Sequence, residues 1–212
     1  MRTIMLMNAK GGCGKTTLAT NLATWYADAG LQVALADCDP QKSSLDWLQA
    51  RLDYEGIPEI QAIDASRQGK SLLRAAQNTD LLVMDAPAST HGTAIDKLLK
   101  QVDTLILPVL PSPIDMRACQ RFLGELLDSG RVTPQISKIG IVANRVREHT
   151  RIYHDLEKYL GHLNIPFITH LRESQNYIRS AEQGLGIFEL APSLVYKDVV
   201  QWDALFDWIE LS

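Results

Sequence analysis

The chain has 212 residues, 46% hydrophobic and 22% charged, with 13 glycines and 9 prolines; this excludes collagen-like and disordered chains and predicts a single globular domain over residues 1–212. A chain of this length buries roughly 70% of the surface it exposes when unfolded, so it needs no disulfide or structural metal. A net charge of −4 excludes a uniformly basic surface, and three cysteines (Cys13, Cys38, Cys119) without a CxxC pair predict reduced thiols in a cytoplasmic setting.

The opening apolar run is far shorter than the roughly 20 residues of a membrane span, and glycines follow it directly. Strands are predicted at Thr3 to Asn8, Gln32 to Asp37, Asp80 to Asp85, Thr104 to Val109 and Lys138 to Ala143, with a weaker one near Phe167. Helical period falls between them, at about 16–29, 42–52, 69–77, 91–101, 114–128, 149–162 and 174–183, with a last helix over about 192–210. Most strands are continuous apolar runs, as expected where both faces are covered. The fold class is therefore α/β, a doubly wound and mostly parallel sheet with helices on both faces, whose ligands bind beyond the carboxyl ends of the strands.

Between the first strand and first helix lies Lys10-Gly11-Gly12-Cys13-Gly14-Lys15-Thr16-Thr17. Glycines let successive backbone N–H groups turn around a phosphate, and the helix N-terminus adds partial positive charge. Lys15 is the point charge for the outer phosphates and the Thr16 hydroxyl a magnesium ligand. Further on, Asp37 closes the second strand and Asp39 follows two residues later, and the two are read as serving different roles. Leu81 to Asp85 is an apolar run closed by one carboxylate, which fits Asp85 holding a water on magnesium.

The loop departs from the ordinary GxxxxGK[ST] pattern by a second lysine, Lys10, and resembles the deviant Walker A box KGGxGK[ST] of the ParA/MinD family of ATPases. Asp37-Cys38-Asp39-Pro40-Gln41 looks like that family's DxDPQ segment, and Pro108 to Asp115 resembles its PVxPSxxD segment. The resemblance implies ATP and Mg2+ as cofactors and an ATP-sandwich homodimer. It implies that Lys10 reaches the partner's nucleotide, that Asp39 positions the attacking water and that Asp37 lies near magnesium through water. It also implies that Asn144, after the strand ending at Ala143, hydrogen-bonds adenine. The chain's size is like that of small members, including plasmid partition ATPases and McdA-type carboxysome-positioning ATPases.

The function so implied is a positioning ATPase that holds nucleoid DNA without sequence preference and is released when a small adaptor of ParB or McdB type stimulates hydrolysis. Charge placement supports the DNA half. Residues 130–186 carry 8 Lys/Arg against 5 Asp/Glu and four of the five histidines, within an otherwise acidic chain. Arg145, Arg147, Arg151, Lys158, Arg172 and Arg179 are the candidate phosphate contacts, since non-specific binding needs only cations on one face. A MinD-like membrane regulator is the alternative. The apolar stripe Val195, Val199, Trp202, Phe206, Ile209 carries an acidic polar face, however, and is read as core packing with no membrane partner. A metabolic relative, a reductase or ligase, is the other alternative. No cysteine follows Asp85 in Ala86 to Thr90 to hold a bridging cluster, and histidines spaced by 5, 8 and 8 residues do not align on a helix.

Overall fold

The structure, a computed structural model, describes residues 1–66, 72–88, 93–128, 136–163 and 165–211. Among these, seven strands form: β1 (Arg2–Leu6), β2 (Val33–Asp37), β3 (Ile60–Asp64), β4 (Leu81–Asp85), β5 (Thr104–Val109), β6 (Lys138–Val146) and β7 (Phe167–Arg172). They pair in the order β3-β2-β4-β1-β5-β6-β7, every pair parallel. Parallel neighbours need crossovers, and helices supply them: α1 (Lys15–Asp28), α2 (Ser43–Arg51), α3 (Leu72–Ala75), α4 (Thr93–Leu99), α5 (Pro113–Asp128) and α6 (Arg151–Leu160), while α7 (Gln175–Glu182) follows β7. A 3-10 turn at Ile187–Glu189 and helices α8 (Pro192–Val199) and α9 (Asp203–Glu210) close the chain.

Alternation along each strand sorts side chains onto two cores. Met5, Ala34, Ala36, Leu82, Met84, Leu105 and Leu107 pack with α5 and α6 through Phe122, Leu123, Leu126, Tyr153 and Leu156. Ile4, Leu6, Val33, Leu35, Leu81 and Val83 pack on the other face with α1, α2 and α9 through Leu18, Leu22, Trp47, Leu205 and Phe206. The centre of the sheet fixes where the loops meet. Leu6 and Asp37 are both in register with Asp85, so the segments after β1, β2 and β4 open at one level.

The doubly wound class is as expected, and the sheet is entirely parallel. Three elements differ from the sequence expectation. β3 is an unexpected edge strand. The expected first strand leaves the central ladder at Leu6, although the Met7 amide still donates to the Ile106 carbonyl at 3.1 Å. The expected helix over 192–210 is two helices, broken because Gln201 turns to β7. Its carbonyl accepts from Thr169 Oγ1 at 2.8 Å and its Oε1 from the Arg172 amide at 2.8 Å. Residues 69–71 of the expected helix at 69–77, and residues 91–92 of the one at 91–101, lie outside the described residues.

Candidate functional site

The glycine-rich segment is held open from below. Asn8, fully buried, donates from Nδ2 to the Pro108 carbonyl at the end of β5 (2.6 Å) and accepts from the Lys10 amide at Oδ1 (3.2 Å). Gly12 and Gly14 take left-handed φ values of 77° and 96°, where a side chain is strained. Gly14 is also crowded, since a Cβ there would lie 1.9 Å from Asn144 Nδ2. Asn144 in turn donates to the Cys13 carbonyl at 2.9 Å and accepts from the Arg145 amide at 2.9 Å. α1 begins at Lys15 with no side-chain cap, which leaves its first-turn N–H groups free for an anion. Lys15 is buried, its Nζ 3.4 Å from the Lys10 carbonyl.

Beside the loop, two carboxylates are buried together. Asp37 accepts from the Asp39 amide at Oδ1 (2.9 Å) and from the Ser44 and Leu45 amides at Oδ2 (2.8 and 3.2 Å). Lys42, the residue before α2, is left-handed at φ 58° and offers no side-chain cap; Asp37 therefore caps α2 from the end of β2. Asp85 Oδ2 accepts from the hydroxyls of Thr16 (2.6 Å) and Ser44 (2.7 Å), while its Oδ1 is buried without a partner. Burial pushes the Asp85 carboxyl up to about 6, against the Thr16 and Ser44 hydroxyls, and burial likewise raises Asp37. Asp39 is half-buried and accepts from the Gln41 amide at 2.9 Å. A threonine hydroxyl, desolvated carboxylates and an acceptor oxygen without a donor make a hard-oxygen site that fits magnesium holding its own waters.

Lys10 is half-exposed, and its Nζ lies 3.8 Å from Asp115 Oδ2 in its own chain. Asp115 is buried at the start of α5 and hydrogen-bonded to Ser112. Cys13 is buried, and burial raises its thiol above the ordinary value. Of the residues named from the sequence (Lys10, Gly11, Gly12, Cys13, Gly14, Lys15, Thr16, Thr17, Asp37, Asp39, Asp85 and Asn144), the structure joins Lys15 to Lys10, Asn144 to Cys13, Thr16 to Asp85 and Asp39 to Asp37 by hydrogen bonds. Sequence reasoning missed Asn8 and Ser44. The signal for Ser44 was its place at the start of the helix after Asp39-Pro40, where a hydroxyl faces the preceding strand ends.

The candidate phosphate contacts do not share one face. Arg145 and Arg147 both pair with Glu173, and Arg172 lies 3.5 Å from Asp198; with Lys197 and His149, Arg147 and Arg172 line a cleft of about 540 Å3 at the carboxyl ends of β6 and β7. Arg145 is left-handed at φ 55°, within an irregularity of the β6–β7 register, and such a bulge re-aims side chains. Arg151 and Lys158, seven residues and so about two turns apart, lie on one stripe of the exposed face of α6, whose buried face joins the Phe122 core. Arg179, exposed on α7, belongs to the opposite side of the sheet, where Tyr177 packs. The apolar stripe near the C-terminus is buried at Val195, Trp202, Phe206 and Ile209, as expected of core packing. No described helix is long and apolar enough to cross a membrane.

Residues 4–187 match the family described as CobQ/CobB/MinD/ParA nucleotide binding domain. The chain is 30% identical over 192 residues, 89% of its length and 87% of the relative's, to "Maintenance of carboxysome distribution protein A" of Halothiobacillus neapolitanus. It is 26% identical to the chromosome-partitioning ATPase Soj of Thermus thermophilus over 76% of each chain. Among solved structures, a plasmid partition protein of Borrelia burgdorferi bound to AMPPNP superposes with a TM-score of 0.75 at 16% identity over 98% of this chain and 99% of that one. McdA of Cyanothece in complex with ATP does so with 0.68 at 18% identity over 97% and 96%.

Proposed function

Because the chain belongs to the CobQ/CobB/MinD/ParA nucleotide-binding family, we propose that it is a positioning ATPase, using ATP and Mg2+, which closes into an ATP-sandwich dimer and holds nucleoid DNA in the cytoplasm. A small adaptor of ParB or McdB type releases it by stimulating hydrolysis, and the cargo is a plasmid or a protein body such as the carboxysome. The carboxysome is favoured by the relative from Halothiobacillus neapolitanus. One observation carries the nucleotide reading. A loop with two left-handed glycines and a buried lysine abuts a buried carboxylate with one unpartnered oxygen.

Magnesium, when bound with ATP, neutralises charge on the outer phosphates. The residues of this chain do the rest by placement. Loop amides and Lys15 would bind the phosphates, Thr16 would offer its hydroxyl oxygen to the metal, and Asp85, through its unpartnered Oδ1, would hold the metal by way of water, with Asp37 behind it. Asp39 orients the attacking water, and its half-exposed position leaves an oxygen free for that. Asn144 keeps a second amide hydrogen for adenine while it braces the loop. Lys10 leaves Asp115 and crosses to the partner's phosphates, which joins nucleotide binding to dimerisation. The arginines at the ends of β6 and β7 contact DNA phosphates.

The test uses three variants. Asp39→Ala is expected to bind Mg-ATP and accumulate as a dimer on DNA. Lys10→Ala is expected to bind ATP as a monomer and fail to dimerise by light scattering. Lys15→Ala is expected to lose ATP binding with its fold intact. ATP affinity within threefold of wild type for Lys15→Ala would defeat the phosphate-loop assignment. Normal ATP-dependent dimers of Lys10→Ala would defeat the cross-dimer role.

A further inference from the structure

Asp85 is held by two hydroxyls from different parts of the fold. Thr16 belongs to the phosphate loop, and Ser44 belongs to α2. Ser44 is fully buried, and among the described residues its hydroxyl donates one hydrogen bond, to Asp85 Oδ2 at 2.7 Å. Its amide bonds Asp37 Oδ2 at 2.8 Å. One residue thus touches both buried carboxylates, through two different groups.

The helix that starts there is a stiff rod of nine residues, and its far end is clamped. Trp47 Nε1 donates to the Leu185 carbonyl at 3.3 Å. Arg51, itself buried, donates to the Gly184 carbonyl at 3.3 Å and makes a bidentate pair with Glu189 at 2.8 and 2.6 Å. Backbone meets backbone at this point, since a Cβ on Gly184 would lie 2.3 Å from the Arg51 amide nitrogen. A helix of this length cannot absorb a displacement at one end without passing it to the other, because packed interiors are not continuously deformable. The turn is joined to α7 by the Leu185 amide on the Ser180 carbonyl at 2.8 Å, one residue beyond Arg179.

We propose that Ser44 is a positioning residue of the magnesium site, and that through it α2 carries the occupancy of that site to the 184–189 turn. The proposal rests on the reading of Asp85 as the acceptor of a magnesium-bound water. By fixing Oδ2, the Ser44 hydroxyl leaves Oδ1 as the free acceptor and sets the carboxylate's rotation. The loop amides and Lys15, which bind phosphate, do not depend on it.

The experiment separates metal from nucleotide in the full chain. ATP affinity is measured in EDTA, and Mg2+ is then titrated at saturating ATP. Ser44→Ala is expected to weaken Mg2+ binding about tenfold, about 1.4 kcal/mol, with ATP affinity in EDTA within twofold of wild type; Ser44→Thr, which keeps the hydroxyl, restores Mg2+ affinity. In wild type the indole N–H resonance of Trp47, assigned with Trp47→Phe, is expected to move on adding Mg2+ to the ATP complex, and to stay still in Ser44→Ala. Mg2+ affinity of Ser44→Ala within twofold of wild type, equal losses for the alanine and threonine variants, or an equal loss of ATP affinity in EDTA would overturn the role. So would a wild-type Trp47 resonance indifferent to Mg2+, a measurement that stands even if the alanine variant does not fold. A wild-type chain that binds no ATP in EDTA defeats the nucleotide reading first, and this role with it.

Discussion

Gly14 carries two constraints at once, a left-handed φ of 96° and the amide of Asn144 where a side chain would go. Gly14→Ala is therefore expected to cost about 1–2 kcal/mol from backbone conformation alone, plus the loss of the Asn144 brace. Both a lowered Tm and lost ATP binding should follow. Gly12, left-handed but with open space around it, should show only the backbone cost, and equal losses at both positions would refute the crowding argument. The loop was legible in the sequence because its chemistry is contiguous: glycines, Lys15 and Thr16 stand side by side. Asn8 was not, because its partner Pro108 is 100 residues away in the chain; Ser44 had only its place at the helix start to mark it, with its partner Asp85 41 residues away. No local pattern identifies the partner in a bond closed only by the sheet order. The parking of Lys10 on Asp115 is of the same kind.

Strands β1, β2, β4, β5 and β6 announced themselves as apolar runs since both of their faces are covered. β3 did not. Only Ile60 and Ile63 of its five residues are buried, one toward each core, so this edge strand carries no continuous apolar run. The break between α8 and α9 was hidden too, because the stripe from Val195 to Ile209 keeps helical spacing across it while Gln201 is drawn to β7. α9 is fastened at its end by residues distant in sequence. Glu210 bonds Arg2 at 2.8 Å and the Tyr26 hydroxyl at 2.7 Å, and Lys138 donates to the carbonyls of Trp208 and Ile209 at 3.0 and 2.9 Å. The Arg2 guanidinium holds the Glu210 carboxyl below its ordinary value near 4.5. A carboxyl depressed in the folded state adds stability that is fully present above about pH 4.5 and is lost as pH falls through the lower folded value. Glu210→Gln should accordingly lower Tm at pH 7, and the gap from wild type should close as pH drops below about 4.5. A gap independent of pH would show that the charge contributes nothing.

At the scale of the whole molecule, the positive excess of residues 130–186 was legible as a sum and not as a surface. Folding divides it between the α6 face, the α7 side and the cleft at the ends of β6 and β7, and sets Glu173 against two of its arginines. Arg147→Ala should weaken binding of the ATP-loaded Asp39→Ala dimer to two unrelated duplexes alike and make its salt slope shallower by about 1 per monomer. Glu173→Gln, which frees Arg145 and Arg147, should tighten it. Absence of binding at about 50 mM salt, or strong preference for one duplex, would remove the DNA half of the reading. The two cores are also unequal in what they contain. Trp25, Trp47, Trp202 and Trp208, the chain's four tryptophans, all pack on the α1–α9 side of the sheet, where Trp25 stacks on Phe206 with ring centroids 4.2 Å apart. The opposite core is optically silent at tryptophan wavelengths, so emission watches one half of the molecule while circular dichroism of the backbone watches both. A cooperative, all-or-none domain requires the two urea transitions to coincide; if emission lags or leads, the α5–α6 layer melts on its own, and the sheet is a wall between two separately stable rooms.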